Sequence, residues 1–289
     1  MKSSALVFLA AFIALSASWA GFVLAPQLQL GREPQVKEVA TDSLYPAARS
    51  GLAQQGAEVY RSLGCVYCHS QQVGQEGLTC EVILTDAGTN AATTLVALAK
   101  LNSQFAKADT LTGLPKALML VADMNVADPI LKSITGAGAK AEVRATPFGP
   151  DIARGWGRRR TVVQDYVYDL PVQLGSRRMG PDLANVGLRW PDENWHLRHI
   201  YAPQAEIKGS TMPSYRFLFE KRKVGRAASS DALQLPAGYS PPAGDEIIPT
   251  EEARALAAYL VSLRSDAPLF EAPFTPPAPP APATNSPAK

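Results

Sequence analysis

Cysteine and histidine are scarce, with three of each in 289 residues. Three cysteines exclude a disulfide scaffold for a chain this long. Three histidines leave little room for a metal site built mainly from imidazole, so each one has to be read by its neighbours. Charge of one sign is also missing: 28 basic residues stand against 26 acidic ones, a formal net charge of +2. That balance carries no overall nucleic-acid signal. With 46% hydrophobic and 19% charged residues, the composition is that of a globular protein and excludes wholesale disorder. The averages hide a strong asymmetry. Residues 144–226 hold 15 basic and 8 acidic residues, whereas residues 227–289 hold 3 and 7.

What is present divides by segment. Ser4 to Pro26 has no charge at all. About 20 apolar residues in a helix span a ~30 Å hydrocarbon core. Lys2 precedes the run, which favours a cytoplasmic amino terminus and an exported remainder. An uncleaved anchor over residues 1–27 is expected. Ser18-Trp19-Ala20 resembles a signal-peptide cleavage site, and a cleaved signal would export the rest equally well. Residues 28–48 read as a polar linker. A helix is predicted over Ala47–Leu63, ended by Gly64. Another runs from Pro249-Thr250-Glu251-Glu252 to Arg264, with Thr250 as N-cap and acids in its first turn. Residues 227–248 read as loop. Eight prolines in residues 268–289 suit a disordered or polyproline-like tail.

Residues 78–146 differ from their surroundings. They hold six basic and six acidic residues and no histidine. Strands are predicted at Cys80–Leu84, Ala117–Val121 and Ala141–Ala145, and helices at Ala91–Leu101 and Ala127–Ala137. Pro129 falls near the first turn of the second helix, where proline is tolerated, and Gly138 caps its end.

The chemistry lies in Cys65-Val66-Tyr67-Cys68-His69. A CxxCH run is the attachment signature of c-type haem. Two thiols at this spacing reach the two vinyl groups of one porphyrin, and the adjacent histidine reaches the iron. The rival reading is half of a zinc site, which needs four ligands; Cys80, His196 and His199 are the residues that could complete it. For a haem, a second axial ligand must come from elsewhere. Met179, Met212, His196 and His199 are candidates, as are Met119 and Met124. Met212 is favoured because Pro213 holds the backbone before it extended, fixing a loop thioether over the iron. His196 and His199 lie one helical turn apart, a spacing that suits packing or hydrogen bonding better than ligation. Gly180-Pro181 can offer a carbonyl to the ring N–H of His69. Arg177 and Arg178 are candidates to neutralise a haem propionate. An iron with both axial positions filled favours electron transfer over catalysis.

Residues 56–73 (GAEVYRSLGCVYCHSQQV) and 147–219, including YVYDLPVQLGSRRMGPDLANVGLRW, closely resemble the monohaem subunit II of cbb3-type cytochrome c oxidases. The resemblance extends to the N-terminal anchor and the closing helix. It implies a single-pass protein of the bacterial inner membrane with its soluble domain in the periplasm. It also implies one haem c attached through Cys65 and Cys68, with His69 and Met212 on the iron. That haem would relay electrons from a donor cytochrome c to the haem–copper catalytic subunit, in contact with the other oxidase subunits and with no nucleic acid. The chain itself would be a non-catalytic electron-transfer subunit. The cytochrome subunit of a nitric oxide reductase and a free-standing anchored cytochrome c remain as alternatives.

The resemblance is interrupted where about 70 residues intervene. This insert is similar in pattern to the C-terminal domain of the bacterial ribosomal stalk protein, a β-α-α-β-α-β unit. A shared fold would not carry ribosome binding with it, and a docking or packing role on the periplasmic face is expected instead. The expected architecture is therefore mainly α. An anchor (1–27) and a linker (28–48) precede a class I-like cytochrome c domain in two parts (49–77 and 147–265). An α+β insert (78–146) splits that domain, and a Pro/Ala-rich tail (266–289) follows it.

Overall fold

A computed structural model describes residues 2–29, 34–39, 41 and 43–269. The expected tail from residue 270 onward lies outside the described residues. Along the chain run α1 (Lys2–Trp19), α2 (Ala25–Gln29), β1 (Val36–Lys37), β2 (Leu44–Tyr45), α3 (Gly51–Ser62), β3 (Gly77–Asp86), α4 (Ala91–Leu101), β4 (Lys116–Val121) and α5 (Met124–Gly136). There follow β5 (Lys140–Phe148), α6 (Pro150–Ala153), α7 (Val186–Arg189), α8 (Glu193–Tyr201), α9 (Pro203–Glu206), β6 (Phe219–Lys223), β7 (Asp245–Pro249) and α10 (Glu251–Ser262). Two compact units result. One is built from the described residues up to Gln72 together with Thr161–Leu269, the other from Val73–Arg160.

In the first unit, helix continues from Ser4 to Gln29 through a π-turn at Ala20–Leu24. The most apolar 18-residue window of those 26 residues has a mean hydropathy of 2.2, and the helix is long and apolar enough to cross a membrane. The segment read as linker is tied down. β1 pairs with β2, and the Tyr45 hydroxyl donates to Asp165 at 2.7 Å. Helix α3 starts later than predicted because the Ser50 side chain accepts from Ala53 N–H and caps it there. α3 crosses α10 with almost no space between the backbones. A Cβ on Gly56 would lie 1.8 Å from the Ala255 carbonyl oxygen. Tyr60, Leu183, Leu197, Leu256 and Tyr259 form the core around that crossing.

The expectation of a mainly α chain gives way to mixed helix and strand. Residues read as loop supply β7, which pairs antiparallel with β6. Its sequence is too short and charged for alternation to reveal it. Cross-strand ion pairs stabilise it instead: Lys221 and Lys223 on Asp245 at 3.0 and 2.6 Å, and Arg222 on Glu246 at 2.8 Å.

The second unit is an antiparallel sheet in the order β4-β3-β5. Val82, Leu84, Leu98, Ala127 and Ile134 make its core. The β-α-α-β-α-β expectation fails at its second helix, which is replaced by two 3-10 turns, Ser103–Ala106 and Ala108–Leu111. Asn102 ends α4, and its side chain accepts from Gln104 N–H at 3.0 Å. The polar residues up to Gly113 are too few to repay helix nucleation. α5 begins at Met124 rather than Ala127, capped by Asp123, so Pro129 sits inside the helix. The unit is also wider than the predicted insert. Asp151 accepts from Gly74 N–H at 2.7 Å, and Gln75 accepts from Arg160 N–H at 3.2 Å.

Candidate functional site

α3 delivers the CxxCH run to the wall of a cavity of about 350 Å³. After the chain turns at Gly64, Cys65–Tyr67 form a 3-10 turn. The Cys65 carbonyl accepts from Cys68 N–H at 3.1 Å and from His69 N–H at 2.9 Å. This single tight turn places both sulfurs and the imidazole on one wall. Cys65, Cys68 and His69 line the cavity with Pro181 and Met212. Its volume falls in the range of small-molecule and cofactor sites. Burial pushes the Cys65 thiol up to about 11, so in the unloaded protein it is a neutral thiol.

The stretch 174–183, which has little periodicity in sequence, takes its shape by running beside residues 66–71. Gln71 N–H donates to the Leu174 carbonyl, Ser176 N–H to Val66, Gly180 N–H to Cys68 and Leu183 N–H to Ser70, all within 2.8–3.2 Å. This brings the Pro181 carbonyl to 2.8 Å from His69 Nδ1. A carbonyl can only accept, so Nδ1 carries the proton and Nε2 keeps its lone pair for a metal. Burial lowers the pKa of His69, opposed by the Pro181 carbonyl, and the ring stays neutral. Gly180 lies against the imidazole: a Cβ there would be 2.2 Å from His69 Cε1. Asp182, fully buried, holds the two strands of this clamp. It accepts from Ser70 Oγ at 2.6 Å, Gln72 N–H at 2.7 Å and Ala184 N–H at 2.9 Å.

Across the chain, Met212 sits on the loop after α9. Met212 N–H donates to Ser210 Oγ at 3.3 Å, and Tyr215 N–H donates to the Ile200 carbonyl at 2.9 Å. Met179 also lines the cavity, with its sulfur 3.9 Å from Cys68 Sγ, but is 71% exposed. Met119 and Met124 lie in the other unit. His196 and His199 both line the cavity from α8. His196 is engaged, its Nε2 being 2.8 Å from the Trp190 carbonyl. Burial, then the neighbouring His196 and His69, lower the His199 pKa to about 4.

Arg177 and Arg178 do not line the cavity. Arg177 is exposed. Arg178 donates from Nε to Ser70 Oγ at 3.0 Å and also reaches the Gln72 carbonyl, so its guanidinium reinforces the Asp182 clamp. The arginine on the wall is Arg189, which the sequence reading passed over. It donates to the Asp182 carbonyl, and its Nε is buried with no partner. Desolvation lowers its pKa, opposed by Asp182. Asp182 and Arg189 were missed because nothing local marks them; only the pairing of 174–183 with 66–71 gives them a role.

The cavity fits a haem. Its wall carries two thiols one turn apart, an oriented imidazole, a thioether and apolar side chains including Leu183, Val186, Ile200 and Leu256. Three lining residues, Tyr60, Arg189 and His199, each hold a buried polar atom with no protein partner. Among the described residues, no group of three or more His, Cys, Asp or Glu is placed to hold a metal ion, so the zinc reading gains no support.

A family model described as "Cytochrome C oxidase, mono-heme subunit/FixO" matches residues 144–253. The matched span includes Pro181, Arg189, His199 and Met212 and stops short of Cys65–His69. Over that span the match supports the resemblance to subunit II of cbb3-type oxidases. No curated protein matches the chain.

Proposed function

We propose that this chain is the membrane-anchored electron-relay subunit of a cbb3-type haem–copper oxidase, with a class I-like cytochrome c domain. The observation that carries the reading is the convergence of Cys65, Cys68, His69 and Met212, from distant parts of the sequence, on one apolar cavity.

A haem bound there would supply a reversible one-electron couple. Cys65 and Cys68 would fix it covalently from one tight turn. His69 would offer Nε2 to the iron, its ring held by Pro181 and Gly180. Met212 would offer its sulfur from the opposite loop, and a Met/His pair raises the reduction potential. Arg189, rather than Arg177 or Arg178, would face the propionates. Leu183, Val186, Ile200 and Leu256 would exclude water from a haem held there, which would suit the site to passing electrons instead of binding substrate. The Ser4–Gln29 helix would anchor the chain. Lys2 on its short side favours a cytoplasmic amino terminus, which would leave the cavity on the periplasmic side.

Purification from membranes tests the reading. The pyridine haemochrome spectrum should show one covalently attached haem c per chain, and a polytopic copper-containing subunit with oxygen uptake should co-purify. A haem-free chain would refute the site. A chain that runs alone, or with an oxygen-inert nitric oxide reductase, would refute the oxidase.

A further inference from the structure

Residues 168–174 bury their side chains in reverse. Asp169 and Gln173 are the buried ones: Asp169 is ion-paired with Arg49, and Gln173 Nε2 donates to the Ala57 carbonyl of α3 at 3.0 Å. The residues that alternate with them are apolar and face solvent. Leu170 is 90% exposed, and Tyr168, Val172 and Leu174 are each 40–44% exposed. A strip with its polar side chains inside and its apolar ones outside is arranged to meet a second surface. None of the four carries a charge, and the nearby acids Asp165 and Asp169 are both buried. The strip is also tied close to the anchor. The Tyr45 hydroxyl donates to Asp165 at 2.7 Å, Val36 pairs with Tyr45 across the β1–β2 hairpin, and only six residues separate Val36 from Gln29, where the apolar helix ends. In any conformation six residues reach no further than about 25 Å. The face that carries the strip is therefore kept within a short tether of the end of the anchor.

We propose that Tyr168, Leu170, Val172 and Leu174 rest on the lipid surface beside the anchor, with their side chains among the headgroups and upper acyl chains. Tyrosine suits that interface because its ring is apolar while its hydroxyl stays wet. The three aliphatic side chains enter it without burying a charge. Four such residues hold a bilayer weakly by themselves, but the tether makes the contact intramolecular, so weak affinity suffices. A protein partner is matched through charged and hydrogen-bonding groups, and the outward side chains offer one such group, the Tyr168 hydroxyl; a lipid surface needs no register. The Leu174 carbonyl accepts from Gln71 N–H at 2.8 Å, so the contact sets the height of the Cys65–His69 turn above the bilayer. The inference rests on the anchor reading and not on the haem.

The test uses the full-length chain in vesicles of phosphatidylcholine and phosphatidylglycerol, doped with a phosphatidylcholine that carries a photoactivatable diazirine near the headgroup end of one acyl chain. Lipid adducts are mapped by mass spectrometry of tryptic peptides after irradiation. Adducts within Ser4–Gln29 report the anchor, and their absence refutes the anchor reading and not merely this step. Given those, adducts should also appear on the peptide Thr161–Arg177, at residues 168–174. Leu170→Ser combined with Val172→Ser should lower that second yield about tenfold or more and leave the anchor adducts unchanged. An unmodified chain labelled in its anchor alone overturns the proposal, and that result needs no variant to fold. An unchanged yield in the double variant overturns it as well. Adducts that vanish when the intact complex purified from membranes is placed in the same vesicles show that a partner subunit covers the strip. Adducts that fall as the protein-to-lipid ratio rises show that a second copy does. Either result overturns the lipid contact.

Discussion

One carboxylate holds the strands that present His69. Asp182 accepts three hydrogen bonds in full burial, two of them from backbone N–H groups. Asp182→Ala would leave those donors unsatisfied, which costs about 3 kcal/mol or more. The urea unfolding midpoint should fall accordingly, and an unchanged midpoint would show that water replaces the carboxylate. His196 and His199 make a second prediction at this scale. Burial holds both below the ordinary histidine value of 6.5, His199 at about 4. The unfolded chain therefore binds more protons below that value than the folded one does. The stability these neutral rings contribute is present above pH 6.5 and is lost as pH falls from 6.5 toward 4. Denaturant midpoints measured across that window should decline, and His199→Phe should flatten part of the decline.

Elements depend on contacts that their own sequences do not display. α3 and α10 were legible from caps and apolar spacing: Ser50 and Thr250 each accept from the N–H three residues on. Their crossing was not legible, because Gly56 shows its purpose only once the Ala255 carbonyl lies against it. Gly56→Ala should force the helices apart and cost roughly 1–3 kcal/mol. A thermal melt that shows no loss would mean that the crossing adjusts without strain. β7 and the 3-10 turns that replace a predicted helix fail in opposite ways. β7 needs basic partners on β6 that are far away in sequence. The residues after Asn102 carry enough Ser, Asp and Thr to satisfy their backbone locally, so nothing nucleates a helix there.

At the scale of the whole chain, the Val73–Arg160 unit has its own core of Val82, Leu84, Leu98, Ala127 and Ile134. Excised as residues 73–160, it should unfold in one cooperative transition by circular dichroism. A featureless melt would show that its core is insufficient alone. Its limits were drawn too tightly from composition, because the flanks at 73–77 and 147–160 look like the rest of the chain. They join this unit through β3–β5 register and side-chain hydrogen bonds.

The sequence by itself determined whatever is written in local order: the long uncharged run at the amino terminus, the Cys65–His69 signature whose spacing is its chemistry, the caps of α3 and α10, and Met212 before a proline. The tertiary structure decided everything that depends on one segment lying beside another. It set the Pro181 carbonyl on His69, made Asp182 a clamp, turned Arg178 away from the cavity, put Arg189 on its wall and stacked His199 on Trp195. The reason is physical. A covalent spacing acts within a turn or two of chain, whereas a buried hydrogen bond or a stacked ring is selected only when folding brings its partner within a few ångströms and takes water away from both.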